Sequence, residues 1–561
     1  METVPANSPA KTSYGLLSRL TQSLLGNGRW EIALLVALIV IAPFLAFYNL
    51  GINPRPWHDE GSYLSLAKTL VQDGVYAVRS LEGYQSFGAV QSVGPTVVIP
   101  IALSFKLFGV GLVQGRLVAG LFILFTLAVF YLSGQTLFGR RTALIAVILL
   151  LASPAVGFLL YGRPAFGEIP ALGFLLAGWL VWTRGVRSNR WWLFPVAGLL
   201  VGSAMVTKSQ YVLVGFGALG LLVVIELLYY RQGLFKSLIV VGLVAAVCVA
   251  AWWIWQRLYF GAADFQANAA KLRELASYTT GFRLHTTIEA IKSLVGLGSG
   301  YFYFFWGFLA LIYGGFLCLP RKKDSVILAF PFLFACVWLA YFTFWIIPWS
   351  RYLLPAAAIT ALFVAKLCND LLDGFLASRQ DLKDDLRQAT ASRLVLTPRA
   401  LTTLGTLVAL LSLALMTGYH LQRIIRSDVM DRSGNEAVLV VSPPQLGSPN
   451  RMADLLNAKI DKSAIIETWE RELGVLTDHQ YHFPDQLLLA QADDFIYHGG
   501  ERNYVLGADY FSRLRPQYVI EGWYARFNRI YDIDYLQKHG SLVETVGDGV
   551  WRYDIYKMQM Q

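Results

Sequence analysis

Long apolar runs separated by short polar segments occupy most of the chain from Ile32 to Gly418. Each run has roughly 17 to 25 residues, the length that an α-helix needs to cross about 30 Å of hydrocarbon. The pattern therefore predicts a polytopic α-helical membrane protein. The eleven predicted spans lie near residues 32–50, 117–138, 143–160, 166–183, 191–207, 210–229, 237–257, 301–319, 326–347, 353–375 and 400–418.

One apolar run, Val93 to Gly109, differs from the others because it contains Lys106 and two prolines. If this run does not cross, the basic clusters between later spans share one side with the basic N-terminal segment, as cytoplasmic loops do. If it crosses, those clusters are split between the two sides. We therefore predict an interfacial or re-entrant helix on the outer face, with a twelfth span as the alternative.

This topology predicts three parts of the chain. Residues 1–30 form a cytoplasmic N-terminal segment, 31–420 a multi-span transmembrane catalytic domain, and 429–561 a soluble extracytoplasmic α/β domain. Residues 51–115, with interfacial helices, and 258–300 are the large outer loops, and we expect the chain in the plasma membrane. Short apolar runs that alternate with helical stretches suggest the α/β class: strands at Ala437–Ser442, Ala464–Trp469 and Tyr518–Gly522, and a helix at Arg451–Lys459.

Composition supports the membrane assignment and removes other classes. Apolar residues make up 55% of the chain and charged residues only 15%, which excludes an ordinary water-soluble protein. The net charge of +10 does not indicate nucleic-acid binding, because the basic residues lie in short loops between spans. The four cysteines all fall inside apolar runs, where we expect buried hydrophobic side chains and no disulfide framework.

A few charges at the predicted outer ends of spans break the orientation pattern: Arg163, Glu168, Lys208 and Arg351. A charge at membrane depth costs on the order of 2.5 to 3.5 kcal/mol on insertion scales. Charges kept at that cost are candidates for function.

The first predicted outer loop opens with an acidic pair, Asp59 and Glu60. Apolar residues then recur at helical spacing, so the pair lies at the N-terminal end of a predicted amphipathic helix. Asp59 has two interpretations that the loop alone leaves open. It caps the helix, or it acts as a general base at the boundary between water and membrane.

These elements in this order resemble glycosyltransferase superfamily C. The resemblance rests on the acidic pair after the first span, the outer acid in Arg163–Glu168, the Thr207–Lys208 turn and the Arg351–Pro355 segment. Order and spacing are most similar to the protein O-mannosyltransferase and lipid A aminoarabinose transferase branch. The resemblance covers roughly residues 30–420 and depends on the ordered set, since no single motif is specific.

The resemblance implies an inverting transferase that moves a hexose or pentose from dolichyl or undecaprenyl phosphate to an acceptor at the outer face. It assigns the catalytic base to Asp59, and it matches Glu60 and Glu168 to further acids of the site. A polyprenyl phosphate leaves without a general acid, so one carboxylate base suffices. The acceptor stays open between a glycan, a lipid and a protein.

The donor phosphate requires positive charge at headgroup depth. Lys208, Arg351 and Arg163 are the candidates, with Tyr352 beside Arg351, because charge-assisted contacts bind phosphate and stabilise its departing charge. The alternative is that each cation is a snorkelling anchor at a helix end.

Three further features leave alternatives open. Glu82 and His285 in the outer loops are a candidate pair for a divalent metal ion, together with Asp59 or His58; simple solvation is the other interpretation. The loop 258–300 is either a mobile lid or a passive interfacial helix pair. The segment 467–482 concentrates aromatic and acidic residues, which suit sugar recognition but also an ordinary folded core.

Two observations limit the assignment. The aminoarabinose branch has Lys-Pro-Pro before its outer helix, whereas this chain has Val93-Gly94-Pro95-Thr96, so a phosphate-contacting lysine is missing and substrate preference can differ. The competing function is a transporter or flippase of lipid-linked sugars. Transporters often contain internal repeats with polar midplane segments, and the sequence has no evident repeat.

Overall fold

The computed structural model describes residues 29–51, 53–56, 58–153, 157–295, 306–388, 398–425, 449–547 and 552–559. The predicted strand at 437–442 lies outside these ranges.

Helices dominate the chain up to residue 425. They are α1 Arg29–Phe47, α2 His58–Gln72, α3 Ala89–Ser92, α4 Pro95–Phe108, α5 Leu112–Phe138, α6 Arg140–Ala152, α7 Phe158–Gly162, α8 Glu168–Ser188, α9 Leu193–Thr207, α10 Gln210–Ile225, α11 Phe235–Phe260, α12 Ala262–Thr279, α13 Leu284–Val295, α14 Phe308–Cys318, α15 Lys323–Phe344, α16 Ser350–Gln388 and α17 Pro398–Ile425. A short hairpin of β1 Val78–Ser80 and β2 Gly83–Gln85 follows α2.

Eight helices of the described chain are long and apolar enough to cross a membrane. They include α1, α5, α8, α11, α15 and most of α16 and α17, while α10 does so together with the π-helical turn Glu226–Tyr230. The polytopic helical architecture predicted from the sequence is therefore confirmed. Three predicted spans coincide instead with shorter helices, α6, α9 and α14, of 13, 15 and 11 residues.

The end of α6 has a local cause in the sequence. The prediction continued this span to residue 160, but the helix ends at Ala152 and Ser153 is extended, with ψ 118°. Pro154 follows in the sequence, and a residue before proline is driven out of the helical region by the proline ring.

The run predicted not to cross forms α4. Its 14 residues span about 21 Å at 1.5 Å per residue, less than the roughly 30 Å of a hydrocarbon core. Val98 and Ile101 on one face are buried against neighbouring elements, while Ile99 and Leu103 on the other are exposed. The length agrees with the non-spanning interpretation; the side of the membrane on which α4 lies remains a prediction.

The C-terminal region, residues 449–559, is an α/β unit, as predicted. Its five-stranded sheet has the order β4-β3-β5-β7-β6, in which β3, β4 and β5 are parallel and β6 and β7 antiparallel additions. The described elements are α18 Pro449–Lys459, β3 Ile465–Thr468, α19 Glu472–Leu476, β4 Gln480–His482, α20 Gln486–Asp493, α21 Ala508–Leu514, β5 Tyr518–Glu521, α22 Trp523–Asn528, α23 Ile533–His539, β6 Gly540–Val546 and β7 Tyr553–Met558.

The C-terminal region contacts the helical part through α2. Lys68 on α2 donates hydrogen bonds to the carbonyls of Gly474, Val475 and Thr477 at 2.9, 3.2 and 2.8 Å. These carbonyls lie at the C-terminal end of α19, where backbone acceptors lack helical partners and the helix dipole is negative. A lysine there both satisfies the acceptors and complements the dipole.

The first turn of α2 also contacts the C-terminal region. The His58 ring stacks on Tyr524 with centroids 4.5 Å apart, and its Nδ1 lies 2.9 Å from the carbonyl oxygen of Trp469. A Cβ on Gly61 would lie 2.5 Å from the backbone nitrogen of Glu472, so only glycine permits this approach. The helix that carries the acidic pair is therefore positioned by the C-terminal region.

Candidate active site

A cavity of about 250 Å³ lies where α2, the segment before α4, α12, the start of α16 and α20 meet. We call it the central cleft. Its polar lining includes Asp59, Ser92, Gln210, Arg351 and Asp493. Its apolar lining includes Leu272, Leu275, Ala276, Ile346 and Leu489. A mostly apolar cavity with a few convergent polar groups is typical of a ligand site.

Asp59 and Arg351 form an ion pair inside this cleft. Arg351 comes from the first turn of α16, so the pair joins positions nearly 300 residues apart in the chain. The guanidinium lies over the rings of Trp349, Phe166 and Tyr352, with 4.7, 5.3 and 5.1 Å to the centroids. The aromatic faces hold the cation in place while its edge stays directed at the carboxylate.

The pair determines the charge state of Asp59. Burial raises the pKa of this carboxyl, but the positive charge of Arg351, followed by His58 and Lys208, outweighs burial and brings the pKa below its usual value. Asp59 is therefore ionised at neutral pH, the state in which a carboxylate can accept a proton.

Arg351 has hydrogen-bonding capacity left over. Its side chain is only 6% exposed, and its Nε and Nη1 have no hydrogen-bond partner among the described residues. Buried donors are almost always satisfied. Two unsatisfied donors on an arginine that lines the cleft therefore suit an anionic ligand that accepts two hydrogen bonds.

Lys208 and Glu168 form a second buried ion pair next to the cleft, with 3.2 Å between Nζ and Oε1. Lys208 also lies 3.4 Å from the Ser92 hydroxyl, which faces the cleft. The Ser92 hydroxyl thus lies between the lysine charge and the cleft.

The Lys208 turn is held by the segment Val93–Thr96. Gly94 donates its backbone N–H to the Thr207 carbonyl at 3.2 Å, and the hydroxyls of Thr96 and Thr207 are 2.7 Å apart. A Cβ at Gly94 would lie 2.0 Å from the Val206 carbonyl oxygen. The segment that departs from the aminoarabinose branch therefore packs directly against the candidate phosphate-binding lysine.

Glu60, the neighbour of Asp59, lies in a different environment. Both of its oxygens accept hydrogen bonds from Arg116 at 2.7 Å, and the backbone N–H of Ala165 adds a third contact at 3.1 Å. Both side chains are fully buried, and neither lines the central cleft. The geometry favours a structural role for Glu60 over the catalytic role expected from the sequence.

Arg163 lies beside this closed cluster. It is fully buried and donates to the carbonyl of Tyr48. Burial and the nearby charge of Arg116 lower its pKa to about 10. Arg163 does not line the central cleft, so the structure does not bring it together with Lys208 and Arg351.

Tyr352 lines the cleft beside Arg351. Its ring is stacked on Trp349 with centroids 5.6 Å apart, and its hydroxyl lies 3.4 Å from Arg351 Nη2. The aromatic pair forms a flat wall next to the guanidinium.

The two residues of the predicted metal pair, Glu82 and His285, contact different parts of the C-terminal region. His285 Nδ1 lies 2.8 Å from the carbonyl oxygen of Tyr497, whereas Glu82 lies 3.0 Å from Nε2 of His482. His58 contacts Trp469 and Tyr524 instead of either residue. Within the described ranges, no group of three or more histidines, cysteines or acids is placed to hold a metal ion.

The described part of the loop 258–300 forms two helices, α12 and α13, that contact the C-terminal region. Lys271 pairs with Asp485 at 2.9 Å, and Arg283 pairs with Asp494. Leu272 and Leu275 of α12 line the central cleft. These contacts favour the helix-pair interpretation, with the addition that the pair forms one wall of the cleft.

The acidic and aromatic segment 467–482 is largely core. Glu467 is fully buried and accepts hydrogen bonds from Tyr510 and Tyr531 at 2.9 and 3.0 Å. Trp469 is fully buried as well. The segment therefore serves the fold, and none of it lines the central cleft.

Sequence reasoning missed two residues of this architecture. Arg116 lies one residue before the predicted span 117–138 and was not among the candidates, although an arginine there needs a buried partner. Asp493 carries no sequence signal, because the segment around it reads as an ordinary amphipathic helix.

Comparisons with known proteins agree with this fold. The family described as dolichyl-phosphate-mannose-protein mannosyltransferase matches residues 92–255. An uncharacterized protein of Aquifex aeolicus (strain VF5) is 26% identical over 220 residues, which are 38% of this chain and 42% of that protein. This chain therefore matches less than half the length of that relative.

Two solved structures cover nearly the whole chain. ArnT from Cupriavidus metallidurans, bound to undecaprenyl phosphate, has a TM-score of 0.56 at 15% identity and covers 94% of this chain and 98% of its own. The Archaeoglobus fulgidus oligosaccharyltransferase, tethered with an acceptor peptide, has a TM-score of 0.50 at 14% identity and covers 96% of this chain and 75% of its own.

The fold is thus that of a multi-pass membrane protein similar to ArnT and to the archaeal oligosaccharyltransferase. The resemblance to the mannosyltransferase and aminoarabinose transferase branch, predicted from the sequence, is confirmed by the family match and by the likeness to ArnT.

Proposed function

We propose that this protein transfers a sugar from a polyprenyl-phosphate donor to a nucleophilic group of an acceptor, with inversion at the anomeric carbon. The observation that carries the proposal is the Asp59–Arg351 pair in the central cleft, with an ionised carboxylate beside a guanidinium of which two nitrogens have no hydrogen-bond partner in the described part of the chain. The undecaprenyl phosphate bound to ArnT and the family match support the choice of donor.

In this mechanism Asp59 is the general base. It takes the proton from the acceptor group while that group attacks the anomeric carbon from the face opposite the phosphate. A single displacement of this kind inverts the anomeric centre. The phosphate leaves as an anion and needs no proton, so a second carboxylate is not required as it is in hydrolysis.

Arg351 and Lys208 bind the leaving phosphate. Arg351 lines the cleft and has two donors without a hydrogen-bond partner among the described residues, and Lys208 adds positive charge behind the Ser92 hydroxyl. Fixed cations at the place where negative charge develops stabilise the transition state more than the ground state. The apolar wall formed by α12, Ile346 and Leu489 suits the prenyl chain.

The ion pair also makes the base depend on the donor. Without donor, Arg351 holds the pKa of Asp59 down, and a weakly basic carboxylate is a poor proton acceptor. When the phosphate binds the remaining donors of Arg351, its negative charge offsets that of the guanidinium, and the pKa of Asp59 rises. Asp59 then becomes an effective base only after the donor has bound.

The transporter alternative receives less support. Its polar groups would be expected near the middle of the bundle, whereas the ion pairs described here lie where the helices meet the C-terminal region.

The test is a transfer assay with the purified full chain in lipid nanodiscs. Undecaprenyl phosphates carrying mannose, glucose, galactose or aminoarabinose serve as donors, and extracted cell-envelope glycans, lipids and proteins serve as acceptors. We expect a glycosylated product by mass spectrometry, with an anomeric configuration opposite to the donor's by NMR. Asp59→Asn should abolish it, and the matched Asp73→Asn, which changes an acid of the same loop outside the cleft, should not. Native product formation by Asp59→Asn would overturn the proposed mechanism.

A further inference from the structure

A second carboxyl group reaches the central cleft from the C-terminal region. Asp493 is the last residue of α20, is only 3% exposed and lines the cleft. Its Oδ1 has no hydrogen-bond partner among the described residues. The next residue, Asp494, points elsewhere and pairs with Arg283 and His498. Of these two adjacent acids, Asp494 forms ion pairs with neighbouring side chains, whereas Asp493 lines the cleft.

A buried carboxyl without a partner is stable only if it is neutral or if a ligand satisfies it. Burial raises the pKa of Asp493 well above its usual value, and the negative charge of Asp59 raises it further, while Arg351 lowers it. Burial and the Asp59 charge therefore favour the protonated form of this side chain. A carboxylic acid in that state donates one hydrogen bond and accepts another, which matches a sugar hydroxyl.

The position of Asp493 indicates which chemical group it binds. It lies within electrostatic reach of both Asp59 and Arg351. Under the proposed function, Arg351 binds the phosphate and Asp59 faces the acceptor, so the sugar being transferred lies between them. We propose that Asp493 binds a hydroxyl group of the transferred sugar, so that the C-terminal region supplies a residue that determines donor specificity. This inference rests on the proposed function.

The contrast with the segment 467–482 supports the choice of residue. None of the acids of that segment lines the cleft: Glu467, Glu470 and Glu472 are buried elsewhere, and Asp478 is exposed. Asp493 is the acid of the C-terminal region that lines the cleft within the described chain.

The test compares Asp493→Leu with Asp493→Asn. Leucine removes both hydrogen-bonding functions at similar size, whereas asparagine keeps a donor and an acceptor. With the best natural donor, we expect Asp493→Leu to lower kcat/KM by about 10- to 100-fold, chiefly through a higher donor KM. Asp493→Asn should remain within a few-fold of native, and Asp509→Leu, which changes an exposed acid of the same region, should have no effect.

Deoxy-sugar donors identify the hydroxyl. For the donor that lacks the bound hydroxyl, native protein and Asp493→Leu should have equal kcat/KM, because there is no longer a group for Asp493 to bind. The native kcat/KM should also fall at high pH as Asp493 ionises, and Asp493→Asn should lose this alkaline limb. Melting temperatures of all variants report folding.

The outcomes separate the two proposals. If native protein transfers sugar while Asp493→Leu has the same donor preference and KM, the role of Asp493 is overturned and the proposed function stands. If Asp493→Leu unfolds, Asp493→Asn decides, since native kinetics with an unchanged alkaline limb contradict a neutral hydroxyl-binding acid. If native protein transfers no sugar from any donor, both proposals fall.

Discussion

Asp59 and Glu60 are adjacent acids on one helical turn, and each pairs with a buried arginine, yet the two pairs differ in what they leave open. The Glu60–Arg116 pair is bidentate, fully buried and reinforced by the Ala165 N–H. The Asp59–Arg351 pair lines a cavity, with the Asp59 side chain 19% exposed and two arginine nitrogens that have no hydrogen-bond partner among the residues the structure describes.

The difference shows why burial and charge alone do not identify a reactive group. A closed pair has no capacity left for a ligand, and its geometry fixes one helix against another. An open pair keeps capacity for a ligand, since an anion can bind the guanidinium beside the carboxylate. The proposed function therefore gives Asp59 the chemical role, whereas the closed geometry around Glu60 suits a structural role.

The largest expected effect is on activity at the open pair. Asp59→Asn should lower the transfer rate by about 100- to 10,000-fold, because it removes the general base. The melting temperature should fall less than for a change at the closed pair, because Asp59 is 19% exposed and the Arg351 charge also lies over three aromatic rings. The measurement is turnover with saturating donor, together with the melting temperature. A variant with native turnover would erase the distinction drawn here.

The second effect is on stability at the closed pair. Glu60→Gln should destabilise the protein by about 3 to 5 kcal/mol, because Arg116 is left as a buried charge without its counterion. Thermal unfolding in detergent measures it. Replacing both residues, Glu60→Gln with Arg116→Met, should recover part of the loss. A single variant that melts like native protein would show that the pair is not structural.

The third prediction concerns the charge of Lys208, separated from the effect of leaving its partner Glu168 unpaired. Lys208→Met alone leaves Glu168 as an unpaired buried carboxylate, so the matched variant combines it with Glu168→Gln. We expect the double variant to fold normally and to bind the donor about 10- to 100-fold more weakly, because it lacks a charge-assisted phosphate contact. The donor KM and a direct binding measurement check this. Unchanged donor affinity would restrict phosphate binding to Arg351.

The smallest effect is on pH dependence. In the free enzyme the pKa of Asp59 lies below its usual value, so the acid limb of kcat/KM should lie below that of an ordinary carboxyl. The acid limb of kcat should lie at higher pH, because the bound phosphate competes for Arg351. The lowered pKa also stabilises the fold above the unfolded-state pKa, and this contribution is lost as pH falls through the folded-state pKa. Identical limbs in both profiles would contradict a base controlled by the donor.

The sequence predicted the fold to a useful depth because its signals are local. Runs of apolar residues determine spans whatever their neighbours are, and eleven such runs are found as helices. The β3 and β5 strands and α18 were readable for the same reason. The predicted span 143–160 ends early for a local reason too: Pro154 follows Ser153 in the sequence, and the helix ends at Ala152.

The candidate site was only partly readable. Asp59, Lys208 and Arg351 stood out as charges at the ends of apolar runs, and these three are brought together. Glu60 and Arg163 carried the same signal and lie in a closed cluster instead. Nothing in the sequence distinguishes an acid that faces a cleft from one that faces an arginine on the neighbouring helix.

The sequence by itself thus determined that this protein is a polytopic membrane protein with a C-terminal α/β region, and which charges stand out against the apolar background. Only the tertiary structure decided which of those charges share a cavity, and that Asp493 joins them from the far end of the chain. The physical reason is that hydrophobic burial acts on every residue as it stands, whereas the role of a charge depends on the partner that folding brings to it.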